Sequence, residues 1–169
     1  MDNQLIEKVK KECFRIEEDA LYSSKSHYNA SSPWEKLNLI IGIPIAILAA
    51  VAGLTALKNM PTTTIIISFV LTSLTALNTA LNPSKRASQY KSAAGDYNNL
   101  KNDVRIFREL ELFETKLTDK EIKEKINVFS DRRNQLNKSS PTIPRWAYKQ
   151  TQSDFKNDFV RYEIDKEKS

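Results

Sequence analysis

Apolar positions change rhythm along this chain. Leu5, Ile6, Val9, Cys13, Ile16 and Ala20 recur mainly at three- and four-residue steps, which predicts an amphipathic helix over 4–21. The stretch "YSSKSHYNASSPW" then loosens, and Ser31, Ser32 and Pro33 are predicted to end that helix and start another, with Pro33 in its first turn. Periodicity next gives way to continuous apolarity. Leu37 to Leu57 and Asn59 to Ser84 carry no charge, and Lys58 alone separates them. A hydrocarbon core of ~30 Å needs about 20 residues, so each run is long enough to cross it.

Three-four periodicity resumes afterwards. Asn82 and Pro83 suit the cap and first position of a new helix, so the second run ends or kinks at Leu81. Tyr90, Ala93, Tyr97, Leu100, Val104 and Phe107 form a heptad-like seam on a helix predicted to reach about Phe113. "TDKE" at Thr118–Glu121 is a capping box, followed by inward Ile122, Ile126, Phe129 and Leu136. "KSSPTIP" reads as a loop, and Pro144 opens a last helix with Tyr148, Phe155 and Phe159 apolar. No strand alternation appears.

The fold class expected is an all-α membrane protein: a two-helix transmembrane hairpin with a cytoplasmic helical bundle formed by the N- and C-terminal segments. The boundaries are 1–36 for the N-terminal segment, 37–57 and 62–81 for the spans, 58–61 for the turn and 82–169 for the C-terminal region. A turn as short as "KNMP" suits a helical hairpin. Lys25 and Lys36 precede the spans, Lys85, Arg86, Lys91 and Lys101 follow them, and only Lys58 lies between. The positive-inside rule then puts both termini in the cytoplasm. The net charge of +5 is concentrated after the spans, which favours anionic lipid over nucleic acid as its counterpart. A secretory signal does not fit, because 36 polar residues precede the first run.

Candidates for catalysis are sparse. Gly42, Gly53 and Gly95 are the only glycines, too few for a phosphate-binding loop. His27 is the sole histidine, which removes the usual metal sets, and nothing in the sequence brings it to Cys13 as a nucleophile pair. Cys13 reads as a small buried apolar residue and Glu17–Asp19 as a solvated face. No catalytic, cofactor or metal site is expected.

The apolar runs carry two stripes. Thr64, Ser68, Thr72, Thr75, Thr79 and Asn82 fall within an arc of about 80° at 100° per residue. Gly42, Ala46, Ala49, Gly53 and Ala56 form a small-residue face on the first run. One reading packs the stripes on each other inside the hairpin, with hydroxyls bonded back to their own helix. The other turns them to neighbouring subunits or water. Ser73 and Asn78 lie off the main stripe, and the Asn78 amide needs a partner.

The segments "SKSHYNASSPWEKLN", "NPSKRASQYKSAAGDYNNL" and "SSPTIPRWAYKQ", placed around a two-span hairpin, resemble the SLATT family of bacteria. That name denotes a two-transmembrane effector domain associated with nucleotide-signalling conflict systems. The resemblance implies a non-enzymatic membrane effector of antiphage defence. It would form a homo-oligomer that permeabilises or disrupts the membrane when a cytoplasmic sensor or signal-generating protein fires. Two alternatives stand beside it: a non-conducting membrane anchor or scaffold for a partner, and a holin-like lysis protein.

Overall fold

The computed structural model describes residues 3–112 and 117–157, and every regular element among them is helical. They are α1 (Asn3–Leu57), α2 (Pro61–Leu81), α3 (Pro83–Ile106) continued by a π-helical turn (Phe107–Glu111), α4 (Asp119–Ser139) and α5 (Arg145–Lys156). The predicted helix end near Phe113 and the apolar position Phe159 lie outside the described residues.

One expectation fails outright. Ser31 to Pro33 do not break the first helix. α1 runs unbroken through both Pro33 and Pro44. A proline inside a helix removes one hydrogen bond and costs about 3 kcal/mol or more. Two things offset it here. Ser24, Ser26, His27, Ala30 and Ser31 are buried, which fixes the helical register on the N-terminal side of Pro33. From Leu37 onward the sequence is apolar, and a helix satisfies its backbone polar groups within the segment itself.

The chain divides into two compact units, Met1–Ala30 with Gln89–Ser169, and Ser31–Ser88. The first has its own core. Val9, Cys13, Ile16 and Ala20 of α1 meet Tyr97, Leu100, Val104 and Phe107 of α3 and its continuation, Leu112, and Ile122 and Phe129 of α4. The seam and the α4 face predicted from periodicity are therefore the residues that pack. The π-helical turn explains one departure from that periodicity. It widens the step after Phe107, so Leu112 is buried while Leu110 is about half exposed. The capping box forms: the Glu121 N–H donates to Thr118 Oγ1, and the Thr118 N–H donates to Glu121 Oε2.

α5 docks on α1 by a different chemistry. Its buried residues are Ala147 and Thr151. Ser26 Oγ and Asn29 Nδ2 both donate to Thr151 Oγ1, at 3.0 and 3.1 Å, and Thr151 in turn donates to the Ala147 carbonyl. Lys25 pairs with Asp154, and Tyr22 stacks on Phe155 with ring centroids 4.0 Å apart. Of the predicted apolar residues of this helix, Phe155 packs and Tyr148 is exposed.

The second unit is the hairpin of α1 and α2. Its turn is a Schellman motif. Asn59 takes the left-handed conformation (φ 54°), its N–H reaches the Ala56 carbonyl, and the Met60 N–H reaches the Thr55 carbonyl. Asn82 works on both sides of its junction. Its backbone N–H closes α2 on the Asn78 carbonyl with φ at 44°, and its side chain accepts from the Lys85 N–H at the start of α3. Arg86 reinforces that corner: Nε donates to the Leu81 carbonyl, and the guanidinium lies 4.9 Å from the Trp34 ring centroid.

Candidate functional site: the two sides of the apolar hairpin

α1 and α2 both contain segments long and apolar enough to cross a membrane, and almost nothing in them is buried. Burial within the hairpin follows a 3.5-residue beat. On α1 the covered positions on this beat are Ile41, Ile45, Leu48, Ala52 and Thr55, with Gly42 beside Ile41; on α2 they are Thr64, Ile67, Leu71, Leu74, Asn78 and Leu81, with Thr63 beside Thr64. Thr64 Oγ1 donates to Thr55 Oγ1 at 2.9 Å across this seam. The spacing matches a left-handed antiparallel pair whose contacts are mostly Ile and Leu side chains.

The stripes are therefore not packed on each other. Ala46, Ala49, Gly53 and Ala56 are exposed, as are Ser68, Thr72, Thr75 and Thr79. Only the stripe ends are engaged, Gly42 and Thr64 being half-buried and Asn82 serving as a cap. A Cβ added at Gly42 or Gly53 would meet nothing within 4 Å, so neither glycine is there for contact within one chain. Most of the seam goes to Ile and Leu, which bury more area than the stripe residues would, and Ala52, Thr55, Thr64 and Asn78 complete it.

Helix geometry then places the stripes. Viewed from N- to C-terminus, each stripe lies about 100° clockwise of its own seam. Because the helices are antiparallel, equal clockwise rotations bring both stripes to the same side of the hairpin. That side is small and hydroxyl-bearing. The other carries Ile40, Ile47, Leu54, Ile66, Phe69 and Leu77, all exposed.

The hydroxyls are satisfied locally. Thr72, Thr75 and Thr79 donate to the carbonyls of Ser68, Leu71 and Thr75, and Ser73 donates to Phe69, at 2.8–2.9 Å. A shallow groove lined by Leu71, Thr72, Thr75, Ala76, Thr79 and Ala80 runs along this side. Asn78 is the exception. It faces the seam, and its Oδ1 has no hydrogen-bond partner among the described residues.

The remaining sequence candidates resolve individually. Cys13 and His27 are not brought together. Cys13 sits in the core of the first unit, where burial first and Glu17 second push its thiol up to about 12. His27 is edge-on to Tyr90 and Tyr97 at 6.0 and 5.4 Å, and burial pushes it down to about 4. Glu17 departs from the solvated face expected of it. It is mostly covered and pairs with Arg108, while Asp19 pairs with Arg133. Among the described residues no group of three or more His, Cys, Asp or Glu side chains could hold a metal ion. Sequence reasoning missed the buried polar layer of Ser24, Ser26, His27, Ser31 and Thr151. The only signal for it was a run of small polar residues with no charge but Lys25 from Leu21 to Pro33.

No family model matches the chain, and no curated protein or solved structure is significantly similar to it.

Proposed function

We propose that this protein is a membrane-embedded effector of bacterial defence. Its hairpins assemble through the small, hydroxyl-bearing side and permeabilise the inner membrane when a cytoplasmic signal reaches the helical body. The observation that carries this reading is the two-sided hairpin. Lipid tails offer no hydrophobic drive between helices, so association in a membrane relies on close packing of small residues. Here the small residues of α1 and the hydroxyls of α2 share one side that the single chain leaves uncovered, with the bulky residues opposite. Back-bonded hydroxyls suit a surface that closes dry and wets when helices part. A charged lining would cost about 2.5–3.5 kcal/mol per charge at the centre of the bilayer. The reading agrees with what the SLATT resemblance implies.

The test is Thr72→Leu with Thr75→Leu. Insertion should persist, because the span becomes more apolar. Toxicity and dye release from expressing cells should be lost, because the wettable surface becomes a dewetting barrier. Ile66→Leu with Phe69→Leu, on the opposite side, should change neither. A double Thr variant that stays fully toxic and permeable would reduce the stripe to packing and make the hairpin act by a route other than a pore it lines.

A further inference from the structure

Four helices of the first unit converge on a cleft of about 530 Å³ that no part of the proposed function uses. α1 contributes Glu18, Asp19, Tyr22 and Ser23, α3 contributes Tyr97, α4 contributes Arg133 and Asn137, and α5 contributes Tyr148 and Gln152. Clefts between the helices of a bundle are a common place for small-molecule sites. Its polar groups fall into two classes. Tyr97 donates to Asn137 Oδ1 at 2.7 Å, and Arg133 donates to Asp19 at 3.1 Å, so these pairs hold the architecture. Glu18, Tyr148 and Gln152 are exposed and Ser23 is half-buried, so these four are open to a ligand entering from solvent.

The charge of the cleft selects the ligand. Among the described residues Arg133 is the only cation lining it, and its guanidinium is already paired. Two carboxylates against one cation leave the cleft net negative on a chain whose net charge is +5. An incoming anion would meet Glu18 before any unpaired donor of positive charge. An apolar ligand would gain nothing from the negative charge of the cleft. A cation with a flat or slender body fits both features: Glu18 neutralises it, and the rings of Tyr148 and Tyr22 offer faces or edges to its carbon frame. A guanidinium fits best, because its planar fork matches a carboxylate and stacks on an aromatic ring.

We infer that this cleft binds a small organic cation bearing a guanidinium or amine group, held by Glu18 and Tyr148 and oriented by Ser23 and Gln152. The site is independent of the hairpin reading, since none of its residues belongs to the apolar spans. A ligand here touches α1, α4 and α5 at once, so it staples α5 to the body where Thr151 already anchors it.

The test is isothermal titration calorimetry of the detergent-purified full chain with agmatine, which carries both groups, at low salt. Saturable binding is expected, weakened at least about tenfold by Glu18→Gln and by Tyr148→Ala. Asp131→Asn, an exposed carboxylate outside the cleft, should leave the affinity unchanged. The inference is overturned by any of three results: no saturable heat with agmatine to about 10 mM, equal losses in the Asp131 and Glu18 variants (charge attraction without a site), or binding of adenosine monophosphate in preference to agmatine.

Discussion

Arg108 grips Glu17 at two points, with Nε 2.6 Å from Oε1 and Nη2 3.1 Å from Oε2. The same guanidinium lies 3.9 Å from the Phe14 ring centroid and pairs with Glu109. Arg108 and Glu17 are each only 14% exposed, so this pair, unlike an ordinary surface ion pair, is desolvated enough to matter. It ties the π-helical turn to α1 beside the core. Arg108→Ala should therefore cost about 2–3 kcal/mol, because Glu17 would be left covered without its partner. At this chain length that is a melting-temperature loss of very roughly 4–12 °C in detergent. A loss no greater than that of an exposed control such as Lys120→Ala would reduce the pair to surface decoration.

Acid should loosen the first unit through His27. Burial holds this imidazole at about 4 against an ordinary 6.5, so the folded state stays neutral while the unfolded chain takes up a proton. Stability attributable to His27 is thus complete above about pH 6.5 and is lost as pH falls toward 4. Denaturant midpoints measured across that window should slope downward with acidity. His27→Phe should flatten the slope. An unchanged slope in that variant would assign the acid sensitivity to carboxylates instead.

Gly53 offers a test of assembly that spares the single chain. A Cβ added there meets no atom within 4 Å beyond the helix's own neighbouring backbone. Gly53→Leu should leave helix content and thermal stability unharmed, since leucine is the better helix former by up to about 1 kcal/mol. It should nevertheless reduce cross-linked oligomers in membranes if the small-residue side is the contact between subunits. Wild-type levels of cross-linking would place the contact elsewhere.

The topology expected from charge bias has a direct test. Reporter fusions at Met1 and Ser169 that work only outside the cytoplasm should both be silent, and a fusion in the turn at Asn59 should be active. Activity at either terminus would invert the hairpin and remove the cytoplasmic trigger from the proposed function.

The sequence by itself determined that the chain is helical and which apolar faces of the first unit are buried. Val9, Cys13 and Ile16, the Tyr97–Phe107 seam, and Ile122 with Phe129 were legible because three-four periodicity and burial are the same fact read twice. The capping box at Thr118–Glu121 was legible because its hydrogen bonds are local. Proline misled at Pro33 because its cost is local and fixed, whereas the burial that offsets it comes from residues far along the chain. Ser26 meets Thr151 across 125 positions. The cleft was invisible for the same reason, being assembled from four helices. Only the tertiary structure decided which face of each apolar helix forms the hairpin seam. Composition marked the Gly/Ala and Ser/Thr stripes as faces, but both readings of them obeyed the same periodicity. Packing chose Ile45, Leu48, Leu71 and Leu74 for the seam because large branched side chains gain more contact, and so turned the small and hydroxyl-bearing residues outward together.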